Sequence, residues 1–253
     1  MLIGNFDGVH RGHQALIEKA SAVATGPLTA LTFTPHPRSF FNPDLKPFRL
    51  CDDHMRTELL KQYGVDSVLT LPFDRDLAEL SASEFIDQIL IERLQADQVI
   101  IGADFHFGKG RGGSTETLRA DGRLDVQVLN LVEAGGAVIS SSRIRLHLSA
   151  AEMEQVNALL GWKWCIRGPV IQGDQRGRLL GYPTANLDPG CLMLPAYGIY
   201  AVRVYVNGKR YQGVANIGQR PMYHLEKPLV ETFIFDFNAD IYGQTISVIP
   251  VKK

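Results

Sequence analysis

The hydrophobic pattern of this 253-residue chain changes its period near residue 150, and this change limits the folds available to it. Before that point, short apolar runs typical of buried strands alternate with segments whose apolar residues recur at helical spacing. The predicted strands are Leu28–Thr34, Val65–Leu71, Gln98–Gly102 and Val126–Leu131. Regular alternation of strands and helices predicts a doubly wound α/β fold, in which helices cover both faces of a parallel sheet.

Three helices have recognisable starts or stops. They are predicted at His13–Val23, at Ser81–Leu94 and from Ser149 to Gly161. The second and third begin with the S-x-x-E pattern of a capping box, at Ser81 and at Ser149. Gly161 stands where a helix commonly stops.

After residue 162 the pattern is that of strands joined by tight turns. Val202–Val206 and Tyr211–Ile217 flank the pair Asn207-Gly208, a strong hairpin signal. Leu229–Phe237 and Gln244–Val251 are two further predicted strands. We therefore predict a small antiparallel β-barrel. The expected division is an α/β domain at 1–148, a linking helix at 149–161 and the barrel at 162–253.

Composition excludes several classes of function. The 26 basic and 27 acidic residues nearly cancel, so we expect neither a nucleic-acid nor a membrane partner. No apolar run approaches the ~18 residues of a membrane span. Cys51, Cys165 and Cys191 match neither a zinc site nor a disulfide framework, which favours reduced thiols in a cytoplasmic protein. The chain begins almost inside a strand, without a signal peptide, so we expect a few residues upstream.

The first candidate site is the segment Gly4–His13, GNFDGVHRGH, which follows the first apolar residues. Glycines after a parallel strand allow phosphate to approach the backbone, and the following helix offers free N–H groups. His10 and His13 can donate hydrogen bonds to phosphate oxygens. Neither a Walker A nor a GxGxxG motif is present. The competing interpretation is two surface histidines on an ordinary glycine turn.

A second segment, Ile139–Arg145, has the sequence ISSSRIR. Serine hydroxyls and arginines at a helix start suit a phosphate chain. Because serine-rich helix caps are common, this segment gains weight only alongside the two histidines.

The barrel half contains a third candidate site. Gly177 and Gly181 lie in a loop that can expose backbone N–H groups to phosphate. Thr184 and Asn186 are two residues apart, so in an extended chain both point the same way and offer neutral oxygens to Mg²⁺. Glu231 shares a face with aromatic residues in its predicted strand, which favours a general base. An edge-strand glutamate at the barrel rim is the alternative.

Together these segments resemble a known family. HxGH with the ISSSxxR-like element resembles the HxGH nucleotidyltransferases. GNFDGVHRGH, Pro35-His36-Pro37 and the segment GADFHFG at 102–108 are similar to the adenylyltransferase module of bacterial bifunctional riboflavin kinase/FAD synthetases. GRLLGYPTANL at 177–187 closely resembles the riboflavin kinase signature.

The resemblance implies two reactions and a set of roles. Riboflavin and ATP give FMN, and FMN with a second ATP gives FAD and pyrophosphate, with Mg²⁺ as the expected metal and self-association allowed. The implied catalytic residues are His10, His13, Arg145 and Glu231. The implied ATP-binding residues are Gly4, Asn5, Phe6, Asp7, Gly8, Gly12, Ser141, Ser142, Gly177, Arg178, Gly181 and Pro183. The implied flavin-binding residues are His36, Asp104, Phe105, Phe107, Asn216 and Arg220, and the metal ligands are Thr184 and Asn186.

Two other functions compete with this prediction. In the first, the adenylyltransferase is active and the barrel serves only to bind flavin; Thr184, Asn186 and Glu231 together speak against it. In the second, the chain is a non-catalytic flavin-binding regulator, which needs no histidine pair. Loop packing is the alternative role for Asp104, Phe105 and Phe107, and a structural role is the alternative for His36.

Overall fold

The computed structural model describes residues 1–130, 132–173, 183–218 and 228–253. The chain forms two compact units. The first comprises Met1–Leu45 and Cys51–Ser140, and the second comprises Lys46–Leu50 and Ser141–Lys253. The α/β and β-barrel classes predicted from the sequence are both confirmed. Within the described residues, no helix is long and apolar enough to cross a membrane.

The first unit contains a five-stranded parallel sheet with the order β3-β2-β1-β4-β5. Its strands are β1 (Leu2–Ile3), β2 (Thr29–Thr34), β3 (Ser67–Pro72), β4 (Gln98–Gly102) and β5 (Asp125–Leu129). The four strands predicted from apolar runs all form. Leu131, the last residue of the fourth predicted strand, lies outside the described residues. A short pair, β6 (Glu133–Ala134) and β7 (Ala137–Val138), follows the sheet.

Helices connect these strands. They are α1 (Arg11–Val23), α2 (Pro37–Phe41), α3 (Asp53–Gln62), α4 (Arg75–Glu79), α5 (Ala82–Glu84), a π-helical segment (Phe85–Arg93), a 3-10 turn (Lys109–Arg111) and α6 (Thr115–Asp121). The predicted capping box at Ser81 forms: its hydroxyl accepts from the Glu84 N–H, and the Glu84 carboxylate accepts from the Ser81 N–H. The apolar face of this helix packs on the sheet through Phe85, Ile86, Ile89 and Leu90.

The second unit is built around a closed antiparallel barrel with the strand order β10-β11-β12-β9-β8-β13. Its strands are β8 (Ile166–Ile171), β9 (Thr184–Leu187), β10 (Gly198–Val206), β11 (Lys209–Gly218), β12 (Leu229–Ile234) and β13 (Thr245–Lys252). The predicted hairpin forms, with positive φ angles of 48° at Asn207 and 76° at Gly208. The strand predicted at Leu229–Phe237 is shorter, because Asp236 has a φ of 53° and interrupts the extended chain.

Two helices, α7 (Ser141–Ser149) and α8 (Met153–Leu160), precede the barrel. The capping box expected at Ser149 was wrong. Ser149 is the last residue of α7 and donates to the Leu146 carbonyl at 2.7 Å, while the Glu152 carboxylate contacts His147. The stop at Gly161 is confirmed, since this residue adopts a left-handed conformation.

Candidate active sites

The first candidate site is the turn that follows β1, at the carboxyl edge of the sheet. β1 and β4 are neighbours, and the chain order reverses between them: β2 and β3 lie on one side, and β5 lies on the other. In open α/β sheets, ligands bind outside the carboxyl ends of the strands at such a switch point. The turn Gly4–His10 and the loop Ala103–Phe107 leave these two strands there, so both border the expected ligand crevice.

The backbone of this turn is held in conformations that ordinary residues avoid. Phe6 and Val9 have positive φ angles of 48° and 36°, and Gly8 has one of 82°. Such angles cost non-glycine residues roughly 1–3 kcal/mol each, so surrounding contacts must maintain them. Both side chains are buried, and the Val9 N–H donates to the Phe6 carbonyl at 3.1 Å. Burial and this hydrogen bond therefore hold the turn in its conformation.

His10 and His13 stack face to face at the start of α1. Their ring centroids are 3.6 Å apart and their planes differ by 18°. Gly12 leaves room for this pair, because a Cβ there would lie 3.1 Å from the His10 ring and 3.2 Å from the Ile139 carbonyl oxygen. A larger residue at position 12 would therefore crowd the stacked histidines, which explains the glycine between them.

Burial, and secondly the neighbouring His10, hold the pKa of His13 well below its usual range. A neutral imidazole carries one N–H donor and one acceptor nitrogen. The Nδ1 atom of His13 is buried and has no hydrogen-bond partner within the described ranges. The first turn of α1 contains no acidic residue that would repel an anion. This arrangement can bind a phosphate group.

The loop after β4 divides its residues between surface and core. Asp104 is exposed, and its carbonyl oxygen lies 2.9 Å from Nδ1 of His106. Phe105 is half-buried and stacks on Phe107 with 5.7 Å between the ring centroids. Phe107 is buried against Phe85 and belongs to the apolar core. Of the three flavin-binding residues predicted in this loop, Asp104 and Phe105 are therefore those that a ligand can reach.

An aromatic cluster lies beside His36, where α2 begins. The Arg38 N–H donates to Nδ1 of His36 at 3.1 Å, so the histidine caps the helix. Phe40 and Phe41 of this helix both pack edge-on against Phe73, with centroid distances of 5.4 Å and 5.8 Å. The sequence analysis did not single out these rings. Phe41 is 61% exposed and offers a flat surface for stacking.

The barrel brings together three residues that are far apart in sequence. Glu231 on β12 lies directly opposite Asn216 on β11 and directly opposite Asn186 on β9. Side chains at opposed positions share one face of a sheet. Nδ2 of Asn216 donates to Oε2 of Glu231 at 3.4 Å. Thr184 occupies the next position of this face on β9, opposite Phe233.

Asn186 has the environment of a ligand-binding amide. Its side chain is buried, and its Oδ1 atom has no hydrogen-bond partner within the described part of the chain. Gly173 packs so closely on the amide that a Cβ there would lie 2.3 Å from Nδ2. A buried carbonyl-type oxygen without a donor is costly unless it binds something else, such as a cation.

Comparison with known proteins identifies both units. The FAD synthetase family model matches residues 1–143, and the riboflavin kinase family model matches residues 160–253. The bifunctional riboflavin kinase/FMN adenylyltransferase of Pseudomonas fluorescens is 39% identical over 99% of this chain and 83% of its own length. The enzyme of the same name from Escherichia coli K12 is 36% identical, over 100% of this chain and 83% of its own.

The chain belongs to the bifunctional riboflavin kinase/FMN adenylyltransferase family. A crystal structure described as that of a macrolide-efflux protein from Streptococcus pneumoniae shares the architecture, with a TM-score of 0.86 and 32% identity. The match covers 100% of this chain and 86% of that one.

The serine–arginine segment belongs to the second compact unit. Ser141 and Ser142 form the first turn of α7. Nε of Arg145 donates to the Phe48 carbonyl at 2.8 Å, and the guanidinium lies 5.1 Å from the centroid of the Phe48 ring. Arg145 therefore anchors Lys46–Leu50 within its own unit.

Gly177, Arg178, Gly181 and Arg220 lie outside the described residues. Pro183 is exposed and directly precedes β9.

Two residues that contact the histidine-bearing turn were missed by the sequence analysis. Sγ of Cys51 accepts a hydrogen bond from the Gly8 N–H at 3.2 Å. Nη1 of Arg56 donates to the Asn5 carbonyl at 3.4 Å. The signal for Arg56 was present, because it lies among the buried residues Met55, Leu59 and Leu60 of α3. A charged residue at a core position needs a specific partner.

Proposed function

We propose that this chain makes FAD from riboflavin in two ATP-dependent steps. The barrel transfers a phosphoryl group from ATP to the ribityl hydroxyl of riboflavin, which gives FMN and ADP. The α/β unit then transfers AMP from a second ATP to FMN, which gives FAD and pyrophosphate. The two family matches support both steps. We assign residues 1–148 to the adenylyltransferase, 149–161 to a linking helix and 162–253 to the kinase.

In the adenylyl transfer, an oxygen of the FMN phosphate attacks the α-phosphorus of ATP, so no protein nucleophile is needed. Catalysis then depends on positioning the phosphates and on stabilising the charge that develops on the leaving pyrophosphate. The stacked pair His10 and His13 and the first N–H groups of α1 are suited to this task. Because its pKa is held well below the usual range, His13 is suited to donate a hydrogen bond as a neutral imidazole.

The turn Gly4–Gly8 and Gly12 complete the proposed phosphate site. The ISSSRIR motif supports Ser141, Ser142 and Arg145 as further ligands of the ATP phosphates.

The flavin of the adenylyltransferase is proposed to bind at Asp104, Phe105 and His36. Its isoalloxazine ring is flat, and aromatic side chains favour stacking on such rings. The exposed ring of Phe41 extends this surface. For Phe107, the core position supports a role in holding Phe105 rather than direct contact with the flavin.

In the kinase step, Glu231 is proposed to accept the proton of the ribityl hydroxyl as its oxygen attacks the γ-phosphorus. The hydrogen bond from Asn216 supports a fixed orientation of the carboxylate. The remaining proposed contacts of the kinase, Gly177, Arg178, Gly181, Pro183 and Arg220, rest on the family signature.

A magnesium ion fits the residues on this face. The described residues contain no group of three histidine, cysteine or acidic side chains that could hold a metal. Oδ1 of Asn186 is buried and has no partner among the described residues, and Thr184 lies two residues away on the same face. Together they offer the neutral oxygens that Mg²⁺ accepts beside ATP phosphates. When bound there, Mg²⁺ would neutralise phosphate charge.

The observation that carries the bifunctional proposal is the row Asn216–Glu231–Asn186. A barrel that only binds flavin needs no carboxylate flanked by two asparagines, whereas a kinase needs a base beside its metal ligands.

The decisive experiment is a time course with riboflavin, ATP and Mg²⁺, in which the products are separated by chromatography. We expect FMN first and FAD after it. FAD from added FMN, without FMN from riboflavin, would support the monofunctional alternative. Bound flavin with neither product would support the regulator.

A double variant, His10→Ala with His13→Ala, assigns the steps to the two units. We expect FAD formation to be lost while FMN formation continues. Equal loss of both activities would contradict two independent sites.

A further inference from the structure

Arg56 is a fully buried arginine in the adenylyltransferase unit. It lies on α3, which follows the Pro35-His36-Pro37 segment in the chain and carries no residue assigned to catalysis or binding. Desolvating a guanidinium is costly, and an apolar side chain of similar size would fill the same space without that cost. Packing alone therefore does not explain a charged group at this position.

The guanidinium joins the histidine-bearing turn to the neighbouring strand. Nη1 donates to the Asn5 carbonyl in the turn and to the Phe33 carbonyl on β2, both at 3.4 Å. Nη2 donates to Oγ1 of Thr32 at 3.2 Å and pairs with the Asp53 carboxylate at 3.1 Å. One side chain thus holds both backbone segments.

The turn needs this support because the backbone hydrogen bonds between β1 and β2 end at its first residue, Gly4. β1 has only two residues, and the last backbone bond to β2 runs from the Gly4 N–H to the Leu31 carbonyl at 3.1 Å. Beyond Gly4, the chain enters the positive-φ conformation of Phe6. The Arg56 contact to Asn5 lies between these two points.

We propose that Arg56 is a positioning residue for FMN adenylylation, which fixes the turn at Asn5 and thereby the placement of His10 and His13. This rests on the proposed function of the α/β unit. Because Arg56 is inaccessible to solvent, it acts through the turn and does not touch substrate.

The test compares Arg56→Lys and Arg56→Met with Thr32→Val. Thr32→Val removes a partner of the same guanidinium on β2 but leaves the Asn5 contact intact, so it is the matched control. For each protein, kcat and KM for FMN and ATP are measured, together with riboflavin phosphorylation and the thermal midpoint.

We expect both Arg56 variants to lower kcat for adenylylation by about 10- to 100-fold, since small misplacements of catalytic groups have effects of this size. KM should change by less than about threefold, because no substrate contact is lost. Riboflavin phosphorylation by the same molecules should stay unchanged. Adenylylation within about twofold of the starting protein, or equal loss of both activities, would overturn the proposal.

The histidine rings provide a readout that does not depend on activity. In protein labelled with ¹⁵N at histidine, Arg56→Lys should shift the ring resonances of both stacked histidines, and Thr32→Val should not. If the starting protein lacks adenylylation, the proposed function fails while this measurement still tests the positioning role. Unshifted rings in Arg56→Lys would contradict it.

Discussion

The proposed phosphate-binding residues of the adenylyltransferase are concentrated in one segment, Gly4–His13, whereas the proposed kinase residues Asn186, Asn216 and Glu231 come from three separate strands. In the first unit, the arrangement depends on an unusual backbone, with positive φ at two non-glycine residues. In the barrel, it depends on the register between neighbouring strands. A turn of this kind needs buried contacts that hold it, while a register is maintained by the whole sheet.

This difference predicts where substitutions act. In the barrel, removing a functional group should abolish chemistry with little change in geometry. In the α/β unit, a substitution that removes no functional group should still impair chemistry when it displaces the turn.

The largest effect is expected for Glu231→Gln. The amide keeps the shape of the side chain but cannot accept the proton, so riboflavin phosphorylation should fall by about 10²- to 10⁴-fold. FMN adenylylation by the same preparation is the internal control and should be unchanged. Product chromatography with riboflavin and then with FMN checks both rates, and unaltered phosphorylation would show that Glu231 is not the base.

Gly12→Ala is the corresponding test of the turn. The added methyl group would lie 3.1 Å from the His10 ring, so the stacked pair must shift, and adenylylation should fall by on the order of 100-fold. Gly26→Ala is the matched control, because a Cβ there meets nothing within 4 Å. Steady-state rates with FMN and ATP decide the comparison; equal rates in the two variants would mean that ring placement does not limit catalysis.

Local sequence motifs predicted the position of the first candidate site, but they did not predict the buried contacts that hold its backbone. Strand endings and the glycine–histidine spacing were sufficient to place the candidate turn after β1. The burial of Arg56 could be predicted from the helical spacing of α3, but its contact with Asn5 joins residues 51 positions apart, which no local pattern reveals. The Ser149 capping box failed for a related reason, because α7 already extends through Ser149 and Glu152 contacts His147 instead.

In the barrel, alternation predicted the shared face of Thr184 and Asn186, but it did not predict which strand lies opposite. Only the observed register puts Asn216 and Asn186 on either side of Glu231. The face predicted to carry Glu231, Phe233, Phe235 and Phe237 also ends at Phe233, because β12 ends at Ile234 and Asp236 leaves the extended conformation. Phe237 packs instead on Tyr211.

The two asparagines beside Glu231 should differ in their effect on the metal requirement. Asn186→Ala removes a buried oxygen that has no partner in the described part of the chain, and the Mg²⁺ concentration for half-maximal phosphorylation should rise about 10-fold. Asn216→Ala should lower the rate without moving that concentration, because its amide contacts the carboxylate. Magnesium titrations of FMN formation distinguish them, and equal shifts would remove the assignment of Asn186 as the ligand.

The smallest effect concerns stability rather than rate. Since the pKa of His13 is lower in the folded protein than its ordinary value of about 6.5, the unfolded chain takes up a proton first as the pH falls. The burial of His13 therefore carries no proton-linked cost above about pH 6.5. Below that pH, the free energy of unfolding decreases progressively as the pH falls toward the folded-state pKa of His13. In His13→Gln, the thermal midpoint should depend less on pH between about 7 and 5 than in the starting protein, by a few degrees. His54→Gln, at a side chain that is 72% exposed, is the control that should keep the original dependence. Parallel curves of thermal midpoint against pH for all three proteins would show that burial of the histidine pair has no measurable cost. The turn would then be no more sensitive to substitution than the barrel.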